Sequence, residues 1–107
     1  MANELTIEML RDFASKTMEP GSKVWLYGSR ARGDNGPDSD WDLLVLLDRD
    51  KVSDADFDRF GVSFILFGSQ FNADVTPQIY TYKEWDKYRI TPYHQNVEFD
   101  KKVIYGA

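Results

Sequence analysis

Residues 41 to 47, Trp-Asp-Leu-Leu-Val-Leu-Leu, restrict the possible folds more than any other stretch of the chain. Beyond Asp42 both alternations are apolar. A strand with one wet face alternates apolar and polar residues, so this run predicts a strand covered on both faces, in the middle of a sheet. Asp40 and Asp42 stand at its mouth, held by the most rigid part of the fold. Their side chains, two apart on a strand, point the same way, with backbones separated by two rises of roughly 3.4 Å each. Carboxylates at that spacing can converge on one cation, or on two cations about 3.5–4 Å apart.

The remaining chain supplies the partners such a strand needs. Leu5, Met9, Phe13 and Met18 recur at a helical period over residues 4 to 18, and Pro20-Gly21 ends that helix. Val24 to Tyr27 is rich in β-branched and aromatic residues and stops at Gly28, which predicts a short strand. A brief helical turn follows Gly28-Ser29, and a loop then leads to Asp40. Ser53 with Asp56 opens the next helix, along which Phe57, Phe60, Phe64, Phe67 and Phe71 recur at spacings of three and four and read as core. Gly61 and Gly68 each weaken a helix by about 1 kcal/mol relative to alanine, so Val62 to Phe67 also suits a strand.

Asp74 to Tyr80 alternates as a strand does, and Pro77 pushes it toward a sheet edge or a bulge. Thr81 with Glu84 is a capping box for a helix through Tyr88, and Thr91-Pro92 opens a last helix running to Lys101 or so. The order helix, strand, loop, strand, helix, strand, helix, helix predicts an α/β or α+β fold, a small mixed sheet flanked by helices.

A chain of 107 residues predicts one domain over 1–107, with no second lobe to bind an acceptor. A net charge of -5 and a pI near 4.7 argue against tight non-specific nucleic-acid binding, which needs clustered Lys and Arg. A protein or small-molecule partner is expected instead. The absence of cysteine excludes disulfides and thiolate metal sites, and the one histidine, His94, is expected on the surface of the last helix. The opening Met-Ala-Asn-Glu-Leu carries no basic region followed by an apolar run, and no stretch approaches about 18 uncharged apolar residues. These features predict a soluble cytoplasmic protein without a membrane partner.

Asp-x-Asp alone says little here: thirteen residues are aspartate and the pattern occurs five times, at 38/40, 40/42, 48/50, 54/56 and 56/58. Only Asp40 and Asp42 lie where a loop meets a buried strand. Asp38-x-Asp40-x-Asp42 resembles the start of an EF-hand loop, but Leu43 replaces the glycine at the sixth position and Arg49 the glutamate at the twelfth. Gly28 to Gly33 matches the first six positions of a P-loop, but Asp34-Asn35 follows where Lys and Ser/Thr belong. Neither motif accounts for the stretch.

What fits is the ordered set Gly28-Ser29, ten residues, Asp40-x-Asp42, then a lone acid, Asp74, at the start of a later strand. This set resembles the signature of the DNA polymerase β-type nucleotidyltransferase superfamily. The wording Gly-Ser-Arg-Ala-Arg-Gly with Pro-Asp-Ser-Asp-Trp-Asp-Leu-Leu-Val is very close to its minimal nucleotidyltransferase branch, the antitoxins paired with HEPN-domain toxins. The resemblance covers residues 24 to 48 closely and 72 to 85 weakly. It implies a nucleotidyltransferase-type fold and a magnesium-dependent transfer of an NMP unit, most simply AMP from ATP, to a hydroxyl of a protein partner. In the resembled antitoxins that hydroxyl belongs to a tyrosine of the HEPN toxin.

The resemblance also implies roles. Asp40, Asp42 and Asp74 would bind two magnesium ions, Asp74 accepting the proton of the attacking hydroxyl. The amides after Gly28 and the Ser29 hydroxyl would hold phosphates of ATP or another nucleoside triphosphate, because a glycine before a helical turn leaves N–H groups aimed outward. Arg30 and Arg32 would pair with phosphate oxygens, or with Asp34 and Asp38. Two other functions stand beside this one: a binding module that occludes its toxin through an aromatic-rich surface, with the nucleotide site vestigial, or transfer to a small molecule through the same site. Each reading is compatible with a homo- or hetero-oligomer.

Overall fold

The computed structural model describes residues 4–106. Thr6 caps α1 (Ile7–Thr17), its hydroxyl accepting from the Met9 N–H at 3.2 Å. Leu10 and Ala14 are its fully buried residues, with Leu5 and Met18 beside them, while Met9 and Phe13 pack at the margin of the cluster. The buried stripe is thus centred one position beyond the Met9/Phe13 spacing.

The sheet has the order β3-β2-β1-β4. β1 (Lys23–Tyr27) runs antiparallel to β2 (Trp41–Leu47), and β2 runs parallel to β3 (Val75–Thr81). β2 is interior, as its two-sided apolar pattern requires, and Leu43 to Leu47 are all buried. Pro77 falls on an edge strand, where a missing N–H is tolerated. A fourth strand, β4 (Lys102–Tyr105), pairs antiparallel with the other side of β1 and was absent from the expected order. It is four residues long, and only Ile104 is buried, so its alternation is too brief to stand out.

The parallel β2–β3 pair needs a crossover, and a continuous helical run supplies it. Ser53 and Asp56 form the expected capping box of α3 (Asp54–Phe57), which passes through a π-helical turn, Asp58–Val62, into α4 (Ser63–Ser69). Val62 to Phe67 is therefore helical. A side chain at Gly68 would collide with Val75, and one at Gly61 would stand 3.1 Å from Ile79 Cδ1. Both glycines let the run lie directly on β3, which outweighs their low helix propensity.

α1 and this run cover one face of the sheet. Phe60 and Phe64 are fully buried there, Phe13 stacks on Phe67 with centroids 4.3 Å apart, and Phe71 meets Phe67 edge-on. Phe57 departs from the expected core set, being 44% exposed.

α5 (Tyr82–Lys87) and α6 (Pro92–Asp100) serve the other face, where Trp25, Leu44, Leu46, Trp85 and Val97 form a second cluster. Both helices start as expected, α5 with the Thr81/Glu84 capping box and α6 with Thr91 as cap and Pro92 as first residue. His94 is not a surface group: its side chain is 15% exposed and its ring stacks on Trp85 at 4.4 Å. All three tryptophans are core residues, 4 to 6% exposed, so none is available to an interface. Among the described residues no helix is long and apolar enough to cross a membrane.

Candidate active site

Gly28 ends β1 with φ 78° and ψ -159°, a backbone region open in practice only to glycine. The position is also too close-packed for any side chain, since a Cβ there would lie 2.5 Å from Asp42 Oδ2. Strand register explains the approach: Tyr27 pairs with Asp42 across the β1–β2 ladder. α2 (Ser29–Arg32) begins at once, with the Ala31 and Arg32 N–H groups both donating to the Gly28 carbonyl at 3.0 Å. The N–H groups of Ser29 and Arg30 precede that first turn and have no acceptor within it. The turn that carries these two donors thus sits beside a carboxylate at the mouth of the central strand.

Asp40 is exposed and Asp42 half-buried, on the face of the sheet that carries Leu44 and Leu46. The Asp42 carboxyl is held above the ordinary aspartate range, first by burial and then by the negative charge of Asp40, with Arg32 opposing both. Two like charges beside one another, one of them partly desolvated, form a pair that a cation stabilises. Oxygen ligands of this kind suit a hard divalent ion such as magnesium.

Asp74 lies one residue before β3. Trp41 pairs with Val75, and the Trp41 N–H donates to the Asp74 carbonyl at 2.8 Å, which puts Asp74 beside Asp40 on the neighbouring strand. Its side chain is exposed. Among the described residues no three carboxylate, histidine or cysteine side chains are gathered as a set able to hold a metal. The structure therefore brings Asp40, Asp42 and the Gly28 turn together and leaves Asp74 adjacent to them.

The two arginines have different surroundings. Arg30 turns away from Asp42: its guanidinium lies over the Trp41 ring at 4.4 Å and donates to the carbonyls of Ser39, at 2.8 Å, and Pro37, at 3.2 Å. It braces the loop that delivers Asp40. Arg32 donates from Nε to Asp34 at 3.1 Å and from Nη1 to Asp100 at 2.7 Å, the Asp34 pair being one the sequence suggests. A cavity of about 390 Å³ between the loop and the start of β3 is lined by Arg30, Asp38, Trp41 and Asp74, among others, but not by Asp40 or Asp42.

Three residues around the site escape sequence reasoning: Tyr27 and Tyr93 near Asp42, and Asp100 on Arg32. The Tyr27 and Tyr93 hydroxyls are 3.3 Å apart. Both phenols are pushed above the ordinary range, chiefly by burial, and the charge of Asp42 adds to each shift. Tyr27 was within reach, since it directly precedes Gly28. Asp100 had no local signal, because its partner Arg32 is 68 positions away.

No curated protein matches the chain. Among the solved structures that share its fold are two toxin–antitoxin chains. One is a chain of a toxin–antitoxin crystal structure with AMP-PNP, at 18% identity and TM-score 0.64, covering 96% of this chain and 75% of that one. The other is a chain of a mutant MntA-HpeT toxin–antitoxin with two aspartates changed to glutamate, at 16% identity and TM-score 0.60 with the same coverage. Residues 7–105, nearly the whole of the sequence, match the nucleotidyltransferase domain family, and the chain belongs to it.

Proposed function

We propose that this nucleotidyltransferase moves AMP from ATP onto a hydroxyl of a protein partner, and that it is the antitoxin of a pair whose toxin, a HEPN-domain protein, carries the hydroxyl. The observation that carries the proposal is the close seat of the Gly28–Ser29 turn on Asp42, an anion cradle against a pair of carboxylates. The similar toxin–antitoxin chain with AMP-PNP supports ATP as donor, and the mutated neighbour supports a role for paired aspartates. An acidic chain, with a net charge of -5, suits a protein acceptor better than RNA.

In this mechanism Asp40 and Asp42 would hold magnesium, with Asp74 of the adjacent strand as the third carboxylate. Magnesium, when bound, neutralises the triphosphate and the charge that develops on the leaving oxygen. The main-chain N–H groups of Ser29 and Arg30 and the Ser29 hydroxyl bind phosphate oxygens, and Arg32 adds a guanidinium. Asp74 takes the proton from the acceptor hydroxyl as its oxygen bonds to the α-phosphorus. The bond from that phosphorus to the bridging oxygen breaks, and pyrophosphate leaves. Arg30 contributes its main chain here, while its side chain stays bonded to the Ser39 carbonyl over the Trp41 ring.

The occlusion alternative rests on aromatic residues for an interface; the tryptophans are buried, while Phe57, Tyr88 and Phe99 stay exposed. To test the proposal, purified protein is incubated with labelled ATP, magnesium and the product of the neighbouring gene. Label should appear on a hydroxyl side chain of that product. Stoichiometric toxin inhibition without ATP, and no label, would establish occlusion instead.

A further inference from the structure

α6 bears on both shoulders of the phosphate turn. Tyr93, Val97 and Asp100 are spaced four and three apart, so they share one stripe of the helix. Val97, at the centre of that stripe, is 1% exposed in the second core cluster and fixes the helix against the sheet. At one end Tyr93 reaches Tyr27, the residue before Gly28. At the other, Asp100 reaches Arg32, the last residue of the helical turn that follows Gly28.

The Asp100 contact is not a typical surface ion pair. Its side chain is only 9% exposed and accepts from Arg32 Nη1 at 2.7 Å, while Asp34 accepts from Nε at 3.1 Å. An arginine with two of its nitrogens anchored has lost most of its rotamer freedom before any ligand arrives. Among the described residues no group accepts from Nη2, and the Arg32 side chain keeps 47% of its surface. The guanidinium is thus fixed at one edge and open at another, at the end of the turn that follows Gly28 and close enough for its charge to act on Asp42.

We propose that Asp100 is a positioning residue for nucleotide binding: it holds Arg32 so that the free Nη2 edge meets the phosphates of the incoming nucleotide. This rests on the nucleotidyl-transfer reading above, deepens it by a residue outside the motif, and gives α6 a task besides covering the sheet. Asp100 touches no substrate atom and acts only through Arg32.

The test compares Asp100→Asn, Asp100→Glu, Arg32→Gln and the Asp100→Asn/Arg32→Gln double variant in the full chain. The readouts are the Kd for AMP-PNP with magnesium, KM and kcat for ATP in partner labelling, and the melting temperature. Asp100→Asn should raise Kd and KM about tenfold with kcat within about twofold, because the interaction lost serves binding in ground and transition states alike. Asp100→Glu should recover most of the affinity, and the double variant should bind no worse than Arg32→Gln, since the two side chains act as one unit. The inference is overturned if Asp100→Asn lowers the melting temperature with Kd unchanged, if it tightens binding, or if the two substitutions add. Wild type that binds AMP-PNP but transfers nothing refutes the transfer reading and leaves Asp100 to be judged on Kd, whereas wild type that binds no nucleotide overturns both.

Discussion

The two faces of β2 differ in a way that separates stability from chemistry. On one, Trp41, Leu43, Val45 and Leu47 pack against α1 and the crossover helices in an apolar cluster, with the Arg49–Glu19–Asp56 ion pairs only at its far margin. On the other, Leu44 and Leu46 join Trp25, Trp85 and Val97, but the row ends in Asp42, with tyrosine hydroxyls and Arg32 around it. One strand supplies both. The sealed face makes the strand rigid, and that rigidity keeps a pair of mutually repelling carboxylates in place on the open face. The arrangement predicts that substitutions on the two faces fail differently: those on the sealed face should lower stability and spare the chemistry of the folded molecules, and those at the end of the open face should do the reverse.

The largest effect is expected from Asp40→Ala/Asp42→Ala. Labelling of the partner by ATP should fall about 10⁴-fold or more, equivalent to about 5.5 kcal/mol, because metal binding is lost outright. The melting temperature should hold or rise, since a partly buried charge and its repulsion from Asp40 are removed. A large fall in melting temperature would show that the pair is structural and erase the contrast between the faces. Phe64→Ala is the counterpart on the sealed side. Phe64 is fully buried beside Phe13, so its truncation should cost about 3–5 kcal/mol in denaturant unfolding while transfer per folded molecule stays near wild type.

Gly28→Ala tests the seam between the faces. The added methyl meets Asp42 Oδ2 and the backbone is left-handed, so both Asp42 and the turn must shift. A displacement of that kind costs about 100-fold in transfer. Folding should weaken by about 1–3 kcal/mol from backbone strain. Transfer at the wild-type rate would mean that the close approach of turn and carboxylate has no part in the reaction.

How much of this was readable beforehand depended on range along the chain. The interior strand, the edge position of Pro77 and three helix caps follow from runs and short spacings, and each appears as expected. The turn beside Asp40 and Asp42 was legible for the same reason, because Gly28-Ser29 and the acids lie within fifteen residues. What stayed hidden is set by packing across long separations. Arg30 looked like a phosphate ligand until the loop and Trp41 were in place to receive it. His94 looked solvated until α5 placed Trp85 against it. β4 is stable as a strand only because β1 offers an unpaired edge, and no property of Lys102 to Tyr105 in isolation announces that.

The smallest predicted effect lies at the far end of the sealed face, where Arg49 at the end of β2 grips Glu19 at 2.7 Å and also bonds Asp56. Asp56 accepts from the Ser53 N–H at 3.0 Å, and this backbone bond, aided by Ser53 and Arg49, holds its carboxyl below the ordinary aspartate range. A native value below the unfolded one means that the charged form stabilises the fold. That contribution is complete above the unfolded aspartate value and is lost as pH falls through the lower native value. Asp56→Ala, which removes the carboxylate half of the capping box and its pairing with Arg49, should therefore lower stability at neutral pH by about 1–3 kcal/mol, and by less on acidification. Melting curves of wild type and variant from pH 7 downward should converge as the wild-type carboxyl is protonated, with transfer per folded molecule unaffected at neutral pH. Curves that stay parallel into acid would place the ionisation of Asp56 outside the folding balance and leave only its packing, and a loss of transfer at full folding would show that the two faces of β2 are coupled through α3 and not separable as argued.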